Sequence, residues 1–293
     1  MTNQIQSEIS RRLEMWSTLT RAVDANNVPP KLLRDLNFFS GQAGIYRDIK
    51  RTKQCTVDGA GIALSLLHTG RHYPDDLSDT EIIYHYPETS RIGNTDQNEI
   101  QSAKNASKFD VPVFVISMHG TNRKVQLAKI TSWDDTTKTF LVLFKTDQPM
   151  FMTYDENTDD TPFVLKSDPK HIQGTTVVKS RPGQPSFKFN VFKRYGAVCA
   201  VCDIRLPNLL QAAHIVPKKY QGSDDPRNGL VLCANHHLAF DSGLLKINPE
   251  TTAIEVTPKY TASMMGITRS NLNHLPNQPH PDALKWRETE GAK

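Results

Sequence analysis

Seven residues toward the C-terminal end have types and spacings suited to hydrolytic chemistry: Cys199, Cys202, His214, Asn228, Cys233, His236 and His237. They fall in C-A-V-C, A-A-H-I-V-P and R-N-G-L-V-L-C-A-N-H-H. Cys199-x-x-Cys202 and Cys233-x-x-His236 form two knuckles. A two-residue gap lets both members of a knuckle bend onto one tetrahedral ion, and Cys and His are the usual zinc ligands. Three of the four cysteines fall in this pattern, so a structural Zn²⁺ is expected on Cys199, Cys202, Cys233 and His236. Cys55 stands apart and reads as a small buried hydrophobe.

The segment between and after the knuckles carries a second set of groups. L-L-Q-A-A-H-I-V-P reads as a short apolar strand with His214 near its end and Pro217 stopping it. Residues 224–229 read as a turn and 230–232 as the returning strand. Residues 234–241 then form a short helix that sets His237 and Asp241 four apart on one face. A neutral imidazole and a carboxylate at that spacing can bind one divalent cation. The unit is strand, loop, strand, helix, with His214 expected to face His237 and Asp241 across a cleft.

This pattern resembles the HNH nucleases, whose fold is called ββα-metal. The text from A-A-H-I-V-P through N-G-L-V-L-C-A-N-H-H-L-A-F-D-S-G-L-L is similar to a restriction-associated branch of that family. The lead-in R-P-G-Q-P-S-F-K-F-N-V-F-K-R-Y-G-A-V-C and the closing L-P-N-Q-P-H-P-D-A-L-K-W-R-E also fit it, so the resemblance spans residues 178–293. It implies catalytic roles for His214, Asn228 and His237. His214 would be the general base that takes a proton from the attacking water, a task suited to an imidazole. Asn228 would hold the loop and orient His214 or the metal. His237 and Asp241 would bind a catalytic divalent cation (Mg²⁺, Mn²⁺ or Ni²⁺), which stabilises charge on the pentacoordinate phosphate and the leaving oxygen. The expected products carry 5′-phosphate and 3′-hydroxyl ends. One departure stands out: many HNH enzymes have an Asp or His ligand just before the base, and this chain has Ala213.

Stepping outward, 293 residues allow two domains, and no apolar run approaches the length of a membrane span. The polar, amphipathic N-terminus has no secretory apolar core, and metal-binding thiols suit a reducing compartment, so the expectation is cytoplasmic. A net charge of only +4 excludes a generally basic nucleic-acid coat. DNA affinity must come from local clusters. Lys218, Lys219 and Arg227 are the candidate phosphate contacts, with Lys188, Lys193 and Arg194 nearby in the same segment.

The front of the chain is built differently. Ile5, Ile9, Leu13, Trp16 and Leu19 repeat at helical spacing over residues 3–24, closed by Pro29 and Pro30, with a second short helix over 31–36. Strands are expected over 61–67, 81–86, 111–118, 124–132 and 139–144, with one helix over 97–108. Many strands around few helices indicate a curved sheet or barrel, hence an α+β class. Residues 155–160 form an acidic loop and 171–186 a linker. The expected domains are 1–170 and 187–293.

The order A-G-I-A-L-S, H-Y-P-D-D-L-S-D-T-E-I-I-Y and V-P-V-F-V-I-S, within residues 41–145, resembles an SRA domain. Such domains have a PUA-like barrel that flips a modified cytosine out of duplex DNA. A flipped base needs an aromatic face and polar groups for its Watson–Crick edge. By resemblance Tyr73 would stack on the base, Asp76 would accept from the cytosine amino group, and Tyr84 would close the pocket. His85 would lie beside the methyl group, where the family often has a small hydroxyl residue.

The two resemblances together imply a modification-dependent, type IV-like restriction endonuclease. It would act on duplex DNA carrying 5-methyl- or 5-hydroxymethylcytosine, in defence against foreign DNA, and cut both strands as a homodimer or by two successive nicks. Two other readings stand beside it. One is an HNH nuclease that reads phosphorothioate, unmodified DNA or RNA; the other is a non-catalytic DNA-binding protein that keeps the zinc fold.

Overall fold

The computed structural model describes residues 2–39, 44–69, 76–89, 93–145, 161–166 and 183–291. The chain divides into two compact units, Met1–Met150 and Phe151–Lys293. The division falls earlier than the expected end of the first domain at 170. The described segment 161–166 packs in the second unit: Arg227 donates to the Thr161 carbonyl at 2.9 Å, and the Phe163 ring stacks on His280 at 3.8 Å. The expected linker also ends sooner, because Gln184, Pro185 and Ser186 already belong to a helix. Residues 171–182 of that linker and the acidic loop lie outside the described residues.

In the first unit, α1 (Thr2–Ala22) and α2 (Pro30–Asp35) precede six strands: β1 (Ile45–Arg47), β2 (Ala63–His68), β3 (Glu81–His85), β4 (Val113–His119), β5 (Asn122–Asp134) and β6 (Thr139–Phe144). Short α3 (Ile49–Thr52) follows β1, and α4 (Thr95–Lys108) follows β3. The strands form one sheet in the order β1-β2-β4-β5-β6-β3, antiparallel except where β2 runs parallel to β4. A register shift between Ile130 and Ser132 marks a bulge in β5, a feature that bends a strand and increases its twist. Alternation along β4 feeds two cores. Val113 and Val115 join Ile100, Ala103 and Ala106 of α4, whereas Phe114 and Ile116 join Leu19, Leu33 and Phe38.

The α1 face differs from its apolar pattern at one turn. Leu13 is 41% exposed, and Arg12 is fully buried in its place. Arg12 donates to the carbonyls of Ala63 and Pro112 at 2.6 and 2.7 Å, and its charge meets Glu8 at 2.7 Å. These bonds tie α1 to the start of β2 and to the residue just before β4, which hydrophobic spacing cannot reveal. Cys55 is buried, as expected of a small hydrophobe.

The second unit contains α5 (Gln184–Tyr195), β7 (Leu210–His214), β8 (Gly229–Cys233), α6 (Ala234–Asp241), β9 (Leu245–Ile247), β10 (Ile254–Val256) and α7 (Pro281–Thr289). Two small antiparallel hairpins, β7–β8 and β9–β10, carry its sheet structure. All five residues of β8 are buried. Phe187, Val191, Phe192 and Tyr195 of α5 share one core with them, together with Cys199, Cys202 and Phe240. No helix among the described residues is long and apolar enough to cross a membrane.

Candidate active site and metal centre

The β7–β8 hairpin pairs His214 with Gly229. A side chain at Gly229 would enter α5: its Cβ would lie 2.5 Å from Val191 Cγ2 and 2.8 Å from Phe187 Cζ. The missing side chain therefore lets α5 pack directly on β8. Phe187 then reaches His214, and the two rings stack with centroids 3.6 Å apart and 11° between planes. His214 Nε2 lies 3.0 Å from Asp224 Oδ1, and Lys218 Nζ donates to Asp224 Oδ2 at 2.6 Å.

Asn228 is completely buried and holds the loop between the two strands. Its Oδ1 accepts from Val216 N at 2.9 Å, while its Nδ2 donates to the Ser223 and Val216 carbonyls at 2.9 and 3.2 Å. The Ile215 amide donates to its backbone carbonyl at 2.8 Å. One amide side chain thus closes both ends of the 216–223 loop that follows His214. Gly222 has to be glycine, since a Cβ there would collide with the Val216 carbonyl.

On α6, His237 and Asp241 come together as their spacing predicts, with Nε2 3.4 Å from Oδ2. The other ring nitrogen, Nδ1, lies 2.7 Å from Gln211 Oε1 on β7. Such a bond fixes the tautomer that leaves Nε2 as a ligand. Asp241 also faces Arg287 of α7 at 3.5 Å. That guanidinium donates to the carbonyls of Ile215 and Phe240 at 3.3 and 2.5 Å, so it links the chain just after His214 to the end of α6.

Cys199, Cys202, Cys233 and His236 are all buried, and their ligand atoms lie within 4.8 Å of one another. His236 Nδ1 is 3.1 Å from Cys233 Sγ and 3.5 Å from Cys199 Sγ. A tetrahedral ion with Zn–S and Zn–N bonds near ~2.3 and ~2.1 Å spaces such ligands by roughly 3.6 Å, so the set fits. His236 Nε2 lies 2.9 Å from the Met265 carbonyl, which leaves Nδ1 to point at the sulfurs, and the Cys233 amide donates to Cys199 Sγ. Burial pushes the Cys202 thiol up to about 12, aided by Cys199 and Cys233 and opposed by the Ile204 backbone. A divalent cation bound here would favour the thiolate form of Cys202. Among the described residues this is the one group of three or more His, Cys, Asp or Glu side chains placed to hold a metal.

Of the expected phosphate contacts, Arg227 has a different role. It is only 6% exposed, pairs with buried Asp225 at 2.7 Å, and lies 5.3 Å from the centre of the Phe163 ring. It is an internal strut, because Asp225 turns back through the tight 226–228 turn to grip both the Arg227 amide and its guanidinium. Arg194 is likewise buried, donating to the Gln278 carbonyl at 3.0 Å. Lys219 is exposed, and Lys218 remains partly exposed beside Asp224.

In the first unit, Asp76 is 1% exposed and lies 2.9 Å from Nε2 of His85, which is partly exposed. Tyr84 is on the other side of β3. Period-two alternation turns it into the core with Ile82 and Tyr86, where its hydroxyl donates to the Gly44 carbonyl at 2.9 Å. Burial, with the charge of Glu99, pushes its phenol up. Tyr84 is therefore a core residue and does not join His85 in a shared pocket. Tyr73 lies outside the described residues.

Several site residues escaped the sequence reading. Phe187 and Gly229 act through close packing, and Gln211, Asp224 and Arg287 act through hydrogen bonds with partners distant in sequence. Only Asp224 carried a signal, as a polar residue in the loop between the base and Asn228.

Residues 199–248 match the HNH endonuclease family. The second unit thus carries an HNH endonuclease domain, the catalytic unit of metal-dependent nucleases. No curated protein matches the chain. Among solved structures, a modification-dependent restriction endonuclease, TagI, is 19% identical over 90% of this chain and 91% of its own, with a TM-score of 0.37. An SRA domain of SUVH5 in complex with fully methylated CG DNA is 19% identical over 44% of this chain and 96% of its own, with a TM-score of 0.30. The same domain bound to fully hydroxymethylated CG DNA gives 18% identity, coverages of 44% and 96%, and a TM-score of 0.29.

Proposed function

We propose that this protein is a modification-dependent DNA endonuclease in which the first unit reads a modified cytosine and the HNH domain hydrolyses a nearby phosphodiester. The observation that carries the reading is the HNH match over residues 199–248, laid over the His214, Asn228 and His237 arrangement. His214 takes the proton of the attacking water. Phe187 clamps its ring from one face, and Asn228 keeps the adjoining loop closed. His237 and Asp241 would hold the catalytic cation, with no protein ligand at Ala213 just before the base. That cation, when bound, stabilises charge on the phosphate and the leaving oxygen. The Cys₃His cluster is assigned to structural Zn²⁺, which secures the end of β8 and the start of α6.

Support for the reader comes from the sequence resemblance and from the Asp76–His85 pair, a buried carboxylate coupled to the surface through one imidazole. Two copies acting on opposite strands would give a double-strand break. The test uses plasmids carrying cytosine, 5-methylcytosine or 5-hydroxymethylcytosine, incubated with wild type and His214→Ala in Mg²⁺, Mn²⁺ or Ni²⁺. Wild type should cut modified plasmids only, and His214→Ala should be inert. Equal cutting of unmodified plasmid would remove the modified-cytosine reader. DNA binding without cleavage in any ion, by wild type and variant alike, would leave a non-catalytic DNA-binding protein.

A further inference from the structure

We propose that Asp224 is a positioning residue for His214, holding the imidazole through Nε2–H so that Nδ1 is the atom that receives the proton of water. The inference rests on the reading of His214 as general base. Three observations point to it. First, Asp224 Oδ1 lies 3.0 Å from His214 Nε2; an ionised carboxylate only accepts, so that nitrogen must carry the proton. Second, the ring is restrained on a face as well as at an edge, since Phe187 stacks on it at 3.6 Å. Edge and face restraints together fix where Nδ1 points. Third, the carboxylate is braced from two other directions. Lys218 Nζ donates to Oδ2 at 2.6 Å. A Cβ built on Gly183, the residue that opens α5, would be only 3.1 Å from the same oxygen, so the carboxylate rests at the N-terminal end of a 12-residue helix.

The other role open to Asp224 is that of a metal ligand replacing the one missing at Ala213. The geometry disfavours it. One oxygen serves His214 and the other the Lys218 ammonium, so both are already engaged. Among the described residues, the charged groups beside His214 include Asp224 and, behind it, Lys218.

The test combines two readouts on the full chain. In zinc-loaded protein without DNA or an added divalent cation, the NMR titration midpoint of His214 should fall by about one pH unit in Asp224→Asn, which removes an adjacent negative charge. It should rise in Lys218→Met, which removes the competing cation. A packing role alone would move neither. In cleavage assays Asp224→Asn should lower kcat about 10- to 100-fold with KM for DNA unchanged, the range expected for loss of a partner that orients a working histidine. Mn²⁺ affinity measured by calorimetry should be unchanged. An unmoved His214 midpoint, with His214→Ala inactive, overturns the role of Asp224 alone. Loss of Mn²⁺ binding in Asp224→Asn overturns it in favour of ligation. A His214→Ala protein that cuts at the wild-type rate overturns the base assignment on which the inference stands.

Discussion

Gly229→Ala sets two physical effects of opposite sign against each other. Gly229 has extended backbone, φ −132° and ψ 163°, so alanine suits it conformationally. Reduced entropy of the unfolded chain would then stabilise the variant by about 0.4–1 kcal/mol. Against this, the new Cβ would lie 2.5 Å from Val191 Cγ2 and 2.8 Å from Phe187 Cζ. Neither neighbour can swing into solvent, because Val191 and Phe187 are 0% and 1% exposed. Overpacking of that kind costs about 1–3 kcal/mol, so the clash should win and leave a net loss of up to about 2.5 kcal/mol. For a unit of this size that lowers Tm by up to roughly 8 °C. Because Phe187 stacks on His214, the displaced ring should also reduce kcat more than KM. The assay is a double-mutant cycle with Phe187→Leu, followed by thermal and urea unfolding. Leucine vacates part of the ring volume, so Gly229→Ala should cost less in the Phe187→Leu background, with a coupling of about 1 kcal/mol. Additive effects, or a Gly229→Ala protein as stable as wild type, would refute the close-packing argument.

Four further outcomes are expected. Purified protein should contain about one tightly bound Zn²⁺ per chain, and Cys202→Ser should lose it and unfold the second unit, as read by metal analysis with circular dichroism. Asp225→Ala should destabilise the second unit by about 3–5 kcal/mol by leaving the Arg227 guanidinium buried without its partner. Exposed Lys219→Ala should instead preserve Tm and reduce the salt dependence of DNA binding. For Glu8, burial alone would raise the carboxyl, but Arg11 and Arg12 overcome it and hold it below its ordinary value. A depressed folded value means stability that is present above the unfolded value of about 4.3 and is lost as pH falls through the folded one. Wild type should therefore lose more Tm than Glu8→Gln between pH 5 and pH 3, and equal losses would count against the ion pair.

The metal cluster and the hairpin could be read from the sequence because their signals are local. Knuckle spacing brings Cys199, Cys202, Cys233 and His236 within reach of one ion, and a helical interval of four sets His237 beside Asp241. Strand 139–144 was likewise marked by its apolar run F-L-V-L-F. Where the expectation differed, a long-range polar contact had changed the outcome. Arg12 displaced Leu13 from the α1 face by reaching two carbonyls, and Arg227 turned inward because Asp225 was waiting in a dry site. Tyr84 went to the core through strand alternation, which depends on the face β3 presents to its sheet.

Sequence alone determined the ligand chemistry, the order of elements around the base and the HNH resemblance, since each depends on residues a few positions apart. Only the tertiary structure decided what surrounds His214. Phe187 comes from an earlier helix, Gly229 from the partner strand and Asp224 from the loop between, and they converge because buried surfaces close-pack and charged groups seek partners across any chain distance.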